Sequence, residues 1–225
     1  METEIRYYFN EESEQKIIDY LKGFNELTYK GIFYEKTDQY NHPMEKYNFY
    51  SKEIDGRFRI RKIVGDNLSK CMITWKRRLK NTKNNLIHQE EEVEVSIKVY
   101  EYESLIFLLT NVLHLSLVES YERYRSVFEN EDVEIVVDRF PFGIALEIEN
   151  KSKIKDAKEV IIYWVNKLKL DINKSYKLSW DDKYSELCKE QNKNIESIVS
   201  FNSDMPKIIQ EFKLKKVNQK ILTFF

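Results

Sequence analysis

The two most informative stretches of the sequence are Glu2-Thr3-Glu4-Ile5-Arg6, near the start of the chain, and Glu147-Ile148-Glu149, after a glycine turn. Each places two carboxylates two residues apart in a segment that alternates like a β-strand. Alternate side chains of a strand share a face, so the members of each pair lie roughly 6–7 Å apart on the same side. Like charges on one face are unfavourable unless cations or water lie between them. The two stretches therefore predict paired carboxylates facing a charged, solvated space.

Several strands between these stretches also carry charged residues at alternate positions. Residues 57–61 alternate arginine with Phe and Ile, and residues 88–97 place three glutamates opposite a valine-rich face. An ordinary half-buried strand exposes its polar face to water. A sheet with this polarity can instead close into a barrel, with its charged face inside and its apolar face packed against helices. An enclosed face with both signs of charge indicates a site for a polyanion and its metal ions.

The order of elements predicts one α+β domain, a closed antiparallel eight-stranded β-barrel with helices packed on the outside. Extended segments are expected at 3–9, 27–41, 46–53, 57–63, 70–79, 87–97, 116–128, 133–138 and 144–149. Helices are expected from Asn10 to Leu21, at 99–115, at 153–169 and at about 180–190. Asp55-Gly56 is typical of a hairpin turn, and residues 80–86 form a polar loop.

Composition excludes several other classes of protein. The 225 residues include 42% hydrophobic residues and carry a net charge of −1, so a general nucleic-acid-binding surface is not implied. Cys71 and Cys188 lie far apart without a motif, which favours reduced thiols in the cytoplasm. The longest apolar run, around 105–109, is too short to span a bilayer. The charged, strand-like N-terminus does not resemble a signal peptide.

An ordered set of short pieces extends over about residues 2–188. The pieces are Glu2, Glu4 and Arg6; Asp38 and Tyr40; Arg59 and Arg61; Thr74 and Lys76; Glu90, Glu92 and Glu94; Arg123 and Arg125; and Asp138, Pro141, Gly143, Glu147 and Glu149. Together they resemble the CYTH superfamily, the triphosphate tunnel metalloenzymes. A Ser-Tyr pair of that family corresponds either to Ser175-Tyr176 or to Tyr184-Ser185. Two departures are Arg6, where the family usually has Lys, and His88, near a usual Arg.

The resemblance implies a tunnel domain at 1–190, followed by a helical extension or loose tail at 191–225. It implies an enzyme that acts on a small triphosphate with Mg²⁺ or Mn²⁺ as the cofactor. A membrane or nucleic-acid partner is not expected, and a homodimer is compatible with the resemblance. The metal ligands implied are Glu2, Glu4, Glu147 and Glu149. The groups implied to grip the triphosphate are Arg6, Arg59, Arg61, Lys76, Arg123 and Arg125. Glu92 or Asp138 is implied to assist the metal or to orient water.

Three main functions are compatible with this implied site; an RNA 5′-triphosphatase would use the same chemistry, but the lack of a basic outer surface disfavours it. The first is hydrolysis of tripolyphosphate or a small organic triphosphate such as thiamine triphosphate. The second is a class IV adenylate cyclase, which makes cyclic AMP and pyrophosphate from ATP and must also hold adenine and ribose. The third is a non-catalytic phosphate- or nucleotide-binding module, which gains support only from Arg6 and has no evident use for paired carboxylates.

Overall fold

The computed structural model describes residues 2–66, 68–78 and 88–214, with side chains for all of these except Glu2, Arg78, His88 and Gln89. The strands are β1 (Glu2–Phe9), β2 (Thr28–Asn41), β3 (Gly56–Gly65), β4 (Leu68–Arg78), β5 (His88–Ile97), β6 (Ser116–Glu129), β7 (Val133–Phe140), β8 (Gly143–Asn150) and β9 (Ile198–Val199). The α-helices are α1 (Glu14–Lys22), α2 (Tyr102–Phe107), α3 (Ala157–Lys167) and α4 (Trp180–Glu190). The expected polar loop at 80–86 lies outside the described residues.

The eight long strands form one antiparallel sheet in the order β2-β3-β4-β5-β1-β8-β7-β6, and β2 also pairs with β6. The sheet therefore curls round, with its charged face inward. In the described part, β1 meets β5 through three residue pairs only, Glu2–Glu4 with His88–Glu90. Because this register places Glu90 opposite Glu2, the rest of β5 pairs with β4 alone. The expectation of a closed barrel is thus corrected to an open, curled half-barrel.

Helices α1 and α3 cover the apolar outer face of β1, β7 and β8 and form the main core with it. Ile5 and Tyr7 are buried on this outer face, as strand alternation requires for residues between inward-facing charges. Ile161 and Trp164, one turn apart on α3, are buried against the same face. Asp156 is the N-cap of α3, and its carboxylate accepts hydrogen bonds from two backbone N–H groups of the first turn. The charged face is therefore left for the interior.

The helix expected at 99–115 is interrupted. It consists of a 3₁₀ turn (Val99–Glu101), α2 and a π-helical turn (Leu108–Val112). The π-helical turn is closed by a hydrogen bond of 2.9 Å from the Leu113 N–H to the Leu108 carbonyl. Leu109 within it is buried in a cluster with side chains of β3 and β4. The wider turn thus lets one leucine reach the sheet, a tertiary contact that helical periodicity does not predict.

The prediction of a strand at 46–53 is wrong. This stretch is a loop, and the side-chain oxygen of Asn41 holds it by accepting a hydrogen bond of 2.9 Å from the Phe49 N–H. The aromatic ring of Phe49 packs on Trp75, with ring centroids 5.4 Å apart, instead of pairing in the sheet. Asp55-Gly56 consequently ends a long connection to β3 rather than forming a tight hairpin.

The segment 191–214, expected as a helical extension or a loose tail, contains no helix and packs along the domain. Its strand β9 lies parallel to β6. The Ile208 N–H donates a 2.9 Å hydrogen bond to the Phe142 carbonyl. Gly143, at φ +147°, lies under Ile208, and a Cβ there would come within 2.8 Å of Ile208 and of the Phe9 carbonyl. Only glycine fits this turn without strain.

The two cysteines and the apolar character of the helices bear on expectations drawn from composition. Cys71 and Cys188 are both buried, and each is a free cysteine. In the part of the chain that the structure describes, no helix has the length and apolar character to cross a membrane.

Candidate functional site

The inner face of the curled sheet encloses a cavity of about 380 Å³. The predicted site residues that line it are Glu4, Arg6, Arg59, Arg61, Lys76, Glu92, Arg123, Arg125, Glu147 and Glu149. Asp138 is not among the lining residues and is completely buried. The side chain of Glu2 lies outside the described residues. The alternation read from the sequence therefore identifies side chains that meet in one space.

Arg59, Lys76 and Glu92 form one wall of the cavity, on β3, β4 and β5. Lys76 and Glu92 are cross-strand neighbours, and their Nζ and Oε1 atoms lie 3.0 Å apart. The Nη2 of Arg59 lies 3.4 Å from the same Oε1. The Nε of Arg59 is buried and has no hydrogen-bond partner among the described residues. Leaving a buried donor unpaired is costly, so this N–H points to a ligand that accepts a hydrogen bond.

A buried ion-pair network fixes the arginines of β6. Arg123 donates from Nε to Glu35 Oε2 at 2.7 Å and from Nη1 to Asp138 Oδ2 at 2.9 Å. Arg125 binds the same carboxylate through two bonds, from Nε to Oδ1 at 2.7 Å and from Nη2 to Oδ2 at 2.6 Å. Because buried charges are tolerated only when each is paired and hydrogen-bonded, this network holds the two guanidinium groups in one place.

The same network sets the charge state of its members. Burial acts to raise the pKa of Glu35, but Arg123 and Arg61 outweigh it and bring that pKa well below its usual value. Burial acts to lower the pKa of Arg125, and the adjacent Asp138 outweighs it and raises the pKa. Arg61, Arg123 and Arg125, which form the basic wall of the cavity, share these two carboxylates. Arg125 Nη2 also lies 3.3 Å from Glu147 Oε2, so each guanidinium of the basic wall has a carboxylate partner.

Glu4 and Glu147, on the neighbouring strands β1 and β8, share the guanidinium of Arg6. Its Nη2 donates to Glu4 Oε1 at 2.7 Å, and its Nε donates to Glu147 Oε1. The strand register explains this, because Arg6 is paired with Glu147 and Glu4 with Glu149. Burial acts to raise the pKa of Glu147, but Arg6 and Arg125 outweigh it and lower the pKa to about 2. Glu147 is therefore ionised at neutral pH.

The donor atoms of this cluster suit a hard divalent cation. Mg²⁺ and Mn²⁺ prefer carboxylate oxygens, and Glu4, Glu147 and Glu149 all line the cavity. Within the described residues, however, no three acidic, His or Cys side chains converge on one point. Arg6 holds the first two carboxylates, and Lys151 Nζ lies 2.7 Å from the third. The oxygen donors of these three glutamates suit a metal ion, but in this structure they are paired with Arg6 and Lys151.

The two ends of the cavity differ. At one end, the buried rings of Tyr121 and Trp180 lie with centroids 4.2 Å apart and line the cavity. Burial acts to raise the pKa of Tyr121, but nearby arginines, led by Arg59, outweigh it and lower the pKa to about 8. At the other end Phe33 and Leu68 line the wall, and Leu68 is 38% exposed. The open end therefore offers apolar contacts next to the charged centre.

Sequence reasoning missed Glu35, Thr37 and Tyr121. Thr37 accepts a 3.2 Å hydrogen bond from Arg61 Nε, and Glu35 holds Arg123. A signal was present in the alternation of β2: Glu35 and Thr37 share one face of the strand, and Tyr34, Lys36 and Asp38 share the other. Tyr121 precedes Arg123 by two residues on the same face of β6, which the same period-two pattern indicates.

The structure also separates the two Ser-Tyr pairs. The N–H of Tyr176 donates to the Arg6 carbonyl at 2.7 Å, so Ser175-Tyr176 lies beside the carboxylate cluster. Tyr184 instead lies in α4, within an apolar cluster with Phe142. The first pair is the one placed next to the predicted site.

Known structures share this fold. The PH1819 protein from Pyrococcus horikoshii has a TM-score of 0.59 at 23% identity, covering 85% of this chain and 99% of that chain. A candidate adenylate cyclase from Vibrio parahaemolyticus has a TM-score of 0.59 at 14% identity, covering 82% and 97%. HpAC1 from Hippeastrum, a candidate adenylyl cyclase with a dominant triphosphatase activity, has a TM-score of 0.58 at 16% identity, covering 86% and 97%.

The chain therefore has the fold of the CYTH-like proteins, as its resemblance to that superfamily predicted. No protein-family model and no curated protein matches the sequence. At these identities the likeness is one of fold, and the reaction has to be argued from the site.

Proposed function

We propose that this protein is a divalent-metal-dependent hydrolase of inorganic or small organic triphosphates. The observation that carries the proposal is the set of basic side chains lining one cavity, with the buried Nε of Arg59 still lacking an acceptor in the described structure. A polyanion supplies that acceptor through charge-assisted hydrogen bonds. The fold shared with HpAC1, for which triphosphatase activity is dominant, supports the same reading.

Hydrolysis of a terminal phosphate needs in-line positioning and charge neutralisation more than covalent help. Water attacks the terminal phosphorus, and the bond from that phosphorus to the bridging oxygen breaks. One water proton stays on the released phosphate, and the other passes to the leaving oxygen or to solvent. Arg59, Lys76 and the arginines of β6 bind the phosphate oxygens. Asp138 lies behind those arginines and orients them. Glu92 lines the cavity beside Lys76, which supports it as the carboxylate that orients water.

Glu4, Glu147 and Glu149, with Glu2 as the fourth predicted ligand, are the residues that would hold the metal. When bound, the cation would neutralise charge that develops on the phosphate oxygens. Ionised carboxylates are ready ligands, and the low pKa of Glu147 means that no proton has to leave that group at neutral pH.

Product analysis tests the proposal. The purified chain is offered tripolyphosphate, ATP and thiamine triphosphate separately, with Mg²⁺, Mn²⁺ or a chelator. We expect metal-dependent phosphate release that falls by at least roughly 10–100-fold in Glu4→Gln, since the loss of a group that only supports a metal ligand already has an effect of this order. Glu91→Gln is the matched control, because Glu91 lies on the outer face, 46% exposed and 2.7 Å from Arg77; its rate should equal that of the parent.

The products separate the remaining readings. Formation of cyclic AMP and pyrophosphate from ATP would mean that the protein is a cyclase that uses the same cavity. Triphosphate binding without turnover, under every metal condition, would leave only a binding module. Equal rates in Glu4→Gln and the parent would contradict the metal site while leaving the basic wall in place.

The apolar side chains at the open end predict a preference that can be measured. Phe33 lines the cavity, whereas its neighbour Ile32 is 45% exposed on the other face of β2. We expect Phe33→Ala to raise KM about tenfold for a triphosphate with an organic group, because a buried aromatic contact is lost. KM for tripolyphosphate should stay unchanged, as should both values in Ile32→Ala. Equal effects on both substrates would show that Phe33 supports the fold rather than the organic group.

A further inference from the structure

Arg6 uses all three of its nitrogen atoms on the protein itself. Nε donates to Glu147, Nη2 donates to Glu4 at 2.7 Å, and Nη1 donates to the Leu178 carbonyl at 3.2 Å. The Arg6 side chain is 12% exposed, and each carboxylate side chain is 9% exposed. In this arrangement Arg6 is a clamp on two carboxylates, although it lines the same cavity as the other basic residues.

The clamp covers the groups that a metal needs. Glu4 and Glu147 are two of the three predicted metal ligands whose side chains the structure describes. A guanidinium and a metal ion would compete for the same oxygens. Arginine is suited to hold both carboxylates, because its planar fork bridges two acceptors. The ammonium of lysine is instead a compact point charge on a flexible stem. An arginine here therefore changes the metal site as well as the anion site.

A triphosphate would offer the clamp a different partner. Guanidinium groups bind phosphate oxygens bidentately, by the same geometry that they use for carboxylates. Arg6 lies next to the basic wall, since Arg125 Nη2 is 3.3 Å from the Glu147 carboxylate that Arg6 also holds. A phosphate bound to that wall lies within the cavity that Arg6 lines and can accept its N–H groups.

We infer that Arg6 couples metal binding to triphosphate binding. In the unliganded chain it occupies Glu4 and Glu147 and lowers their affinity for a divalent cation. When a triphosphate accepts the Arg6 donors, the two carboxylates become available to the metal. The two ligands then bind cooperatively, and each raises the affinity for the other by the same factor. This inference rests on the proposed function, because it takes a triphosphate and a divalent metal as the ligands of the cavity.

Mn²⁺ binding to the full chain, followed by electron paramagnetic resonance without turnover, tests the clamp. Arg6→Lys keeps the charge and removes the fork, so we expect the unliganded variant to bind Mn²⁺ at least about tenfold more tightly than the parent. Arg57→Lys is the matched control. Arg57 is a partly buried arginine that lies near Glu90 and Ser179 and not on the clamped carboxylates, so its variant should match the parent.

The coupling is measured with imidotriphosphate, a triphosphate analogue with nitrogen bridges. Its affinity is determined with and without saturating Mn²⁺, and the ratio of the two is compared between the parent and Arg6→Lys. Chelation of Mn²⁺ in solution is the same for both proteins, so it cancels in this comparison. We expect the ratio to be at least about fivefold smaller in the variant, since its carboxylates need no release.

The outcomes distinguish the clamp from the proposed function. Equal Mn²⁺ affinity in parent and Arg6→Lys, with unchanged circular dichroism and thermal unfolding, overturns the clamp and leaves the triphosphatase standing. Mn²⁺ binding by neither protein overturns both the clamp and the metal-dependent reaction. Tighter Mn²⁺ binding in Arg6→Lys together with a reduced coupling ratio supports the clamp even if tripolyphosphate is not the physiological substrate.

Discussion

Asp138→Ala should lower the free energy of unfolding by about 3–5 kcal/mol, the cost of breaking a buried ion pair from one side. Asp138 is 0% exposed and accepts hydrogen bonds from both Arg123 and Arg125. Without it, two guanidinium groups remain in the interior with one partner fewer. The change is measured by urea unfolding, where the midpoint should fall while the slope stays constant.

Asp132→Ala is the control for this experiment. Asp132 pairs with Lys155 at the surface, and its side chain is 30% exposed, so its removal should cost far less. Asp138→Asn adds a second comparison, because it keeps the shape of the side chain and removes the charge. If Asp138→Ala proves as stable as Asp132→Ala, the network does not hold the arginines, and Asp138 would have to be reconsidered as a residue that assists the metal or orients water.

The inward-facing charges could be predicted because they depend on local geometry alone. A period of two places Arg59 with Arg61 and Glu147 with Glu149 on one face, wherever the strand lies. The same alternation places Ile5 and Tyr7 on the opposite, outward face, under the helices. These features need no knowledge of which strands are neighbours.

The partners within the site could not be predicted, because they depend on strand register and depth. Asp138 has the same alternation as a cavity residue, and only its position behind Arg123 and Arg125 makes it an orienting group. Arg6 has the charge of a phosphate ligand, but its pairing with Glu147 in the β1–β8 ladder turns it onto carboxylates. The open wall between β1 and β5 has the same origin, since it follows from the register that places Glu90 opposite Glu2.

Arg59→Ala should lower kcat/KM for tripolyphosphate by about 10²–10³-fold, the usual effect of removing one preorganised donor from a site that stabilises developing charge. Among the basic residues that line the cavity, Arg59 and Arg123 each have a buried nitrogen without a hydrogen-bond acceptor in the described structure. Arg59 is chosen because that nitrogen of Arg123, Nη2, still lies 2.6 Å from a Glu35 carboxylate oxygen. It lies in the middle of β3, between Gln39 of β2 and Thr74 of β4, so the backbone pairing survives the change.

Arg77→Ala is the matched control, because Arg77 lies on the neighbouring strand with its side chain 45% exposed and paired to Glu91 outside the cavity. Its kcat/KM should equal that of the parent. Arg59→Lys should recover part of the loss, because a lysine restores the charge without the planar fork. A rate for Arg59→Ala within threefold of the parent, in a protein of unchanged stability, would mean that the unpaired donor faces water rather than substrate. The triphosphate would then have to be placed on Arg123 and Arg125 alone. A clear loss confined to Arg59→Ala would instead place the reacting phosphate against the wall formed by β3, β4 and β5, which also carries Glu92, the carboxylate proposed to orient water.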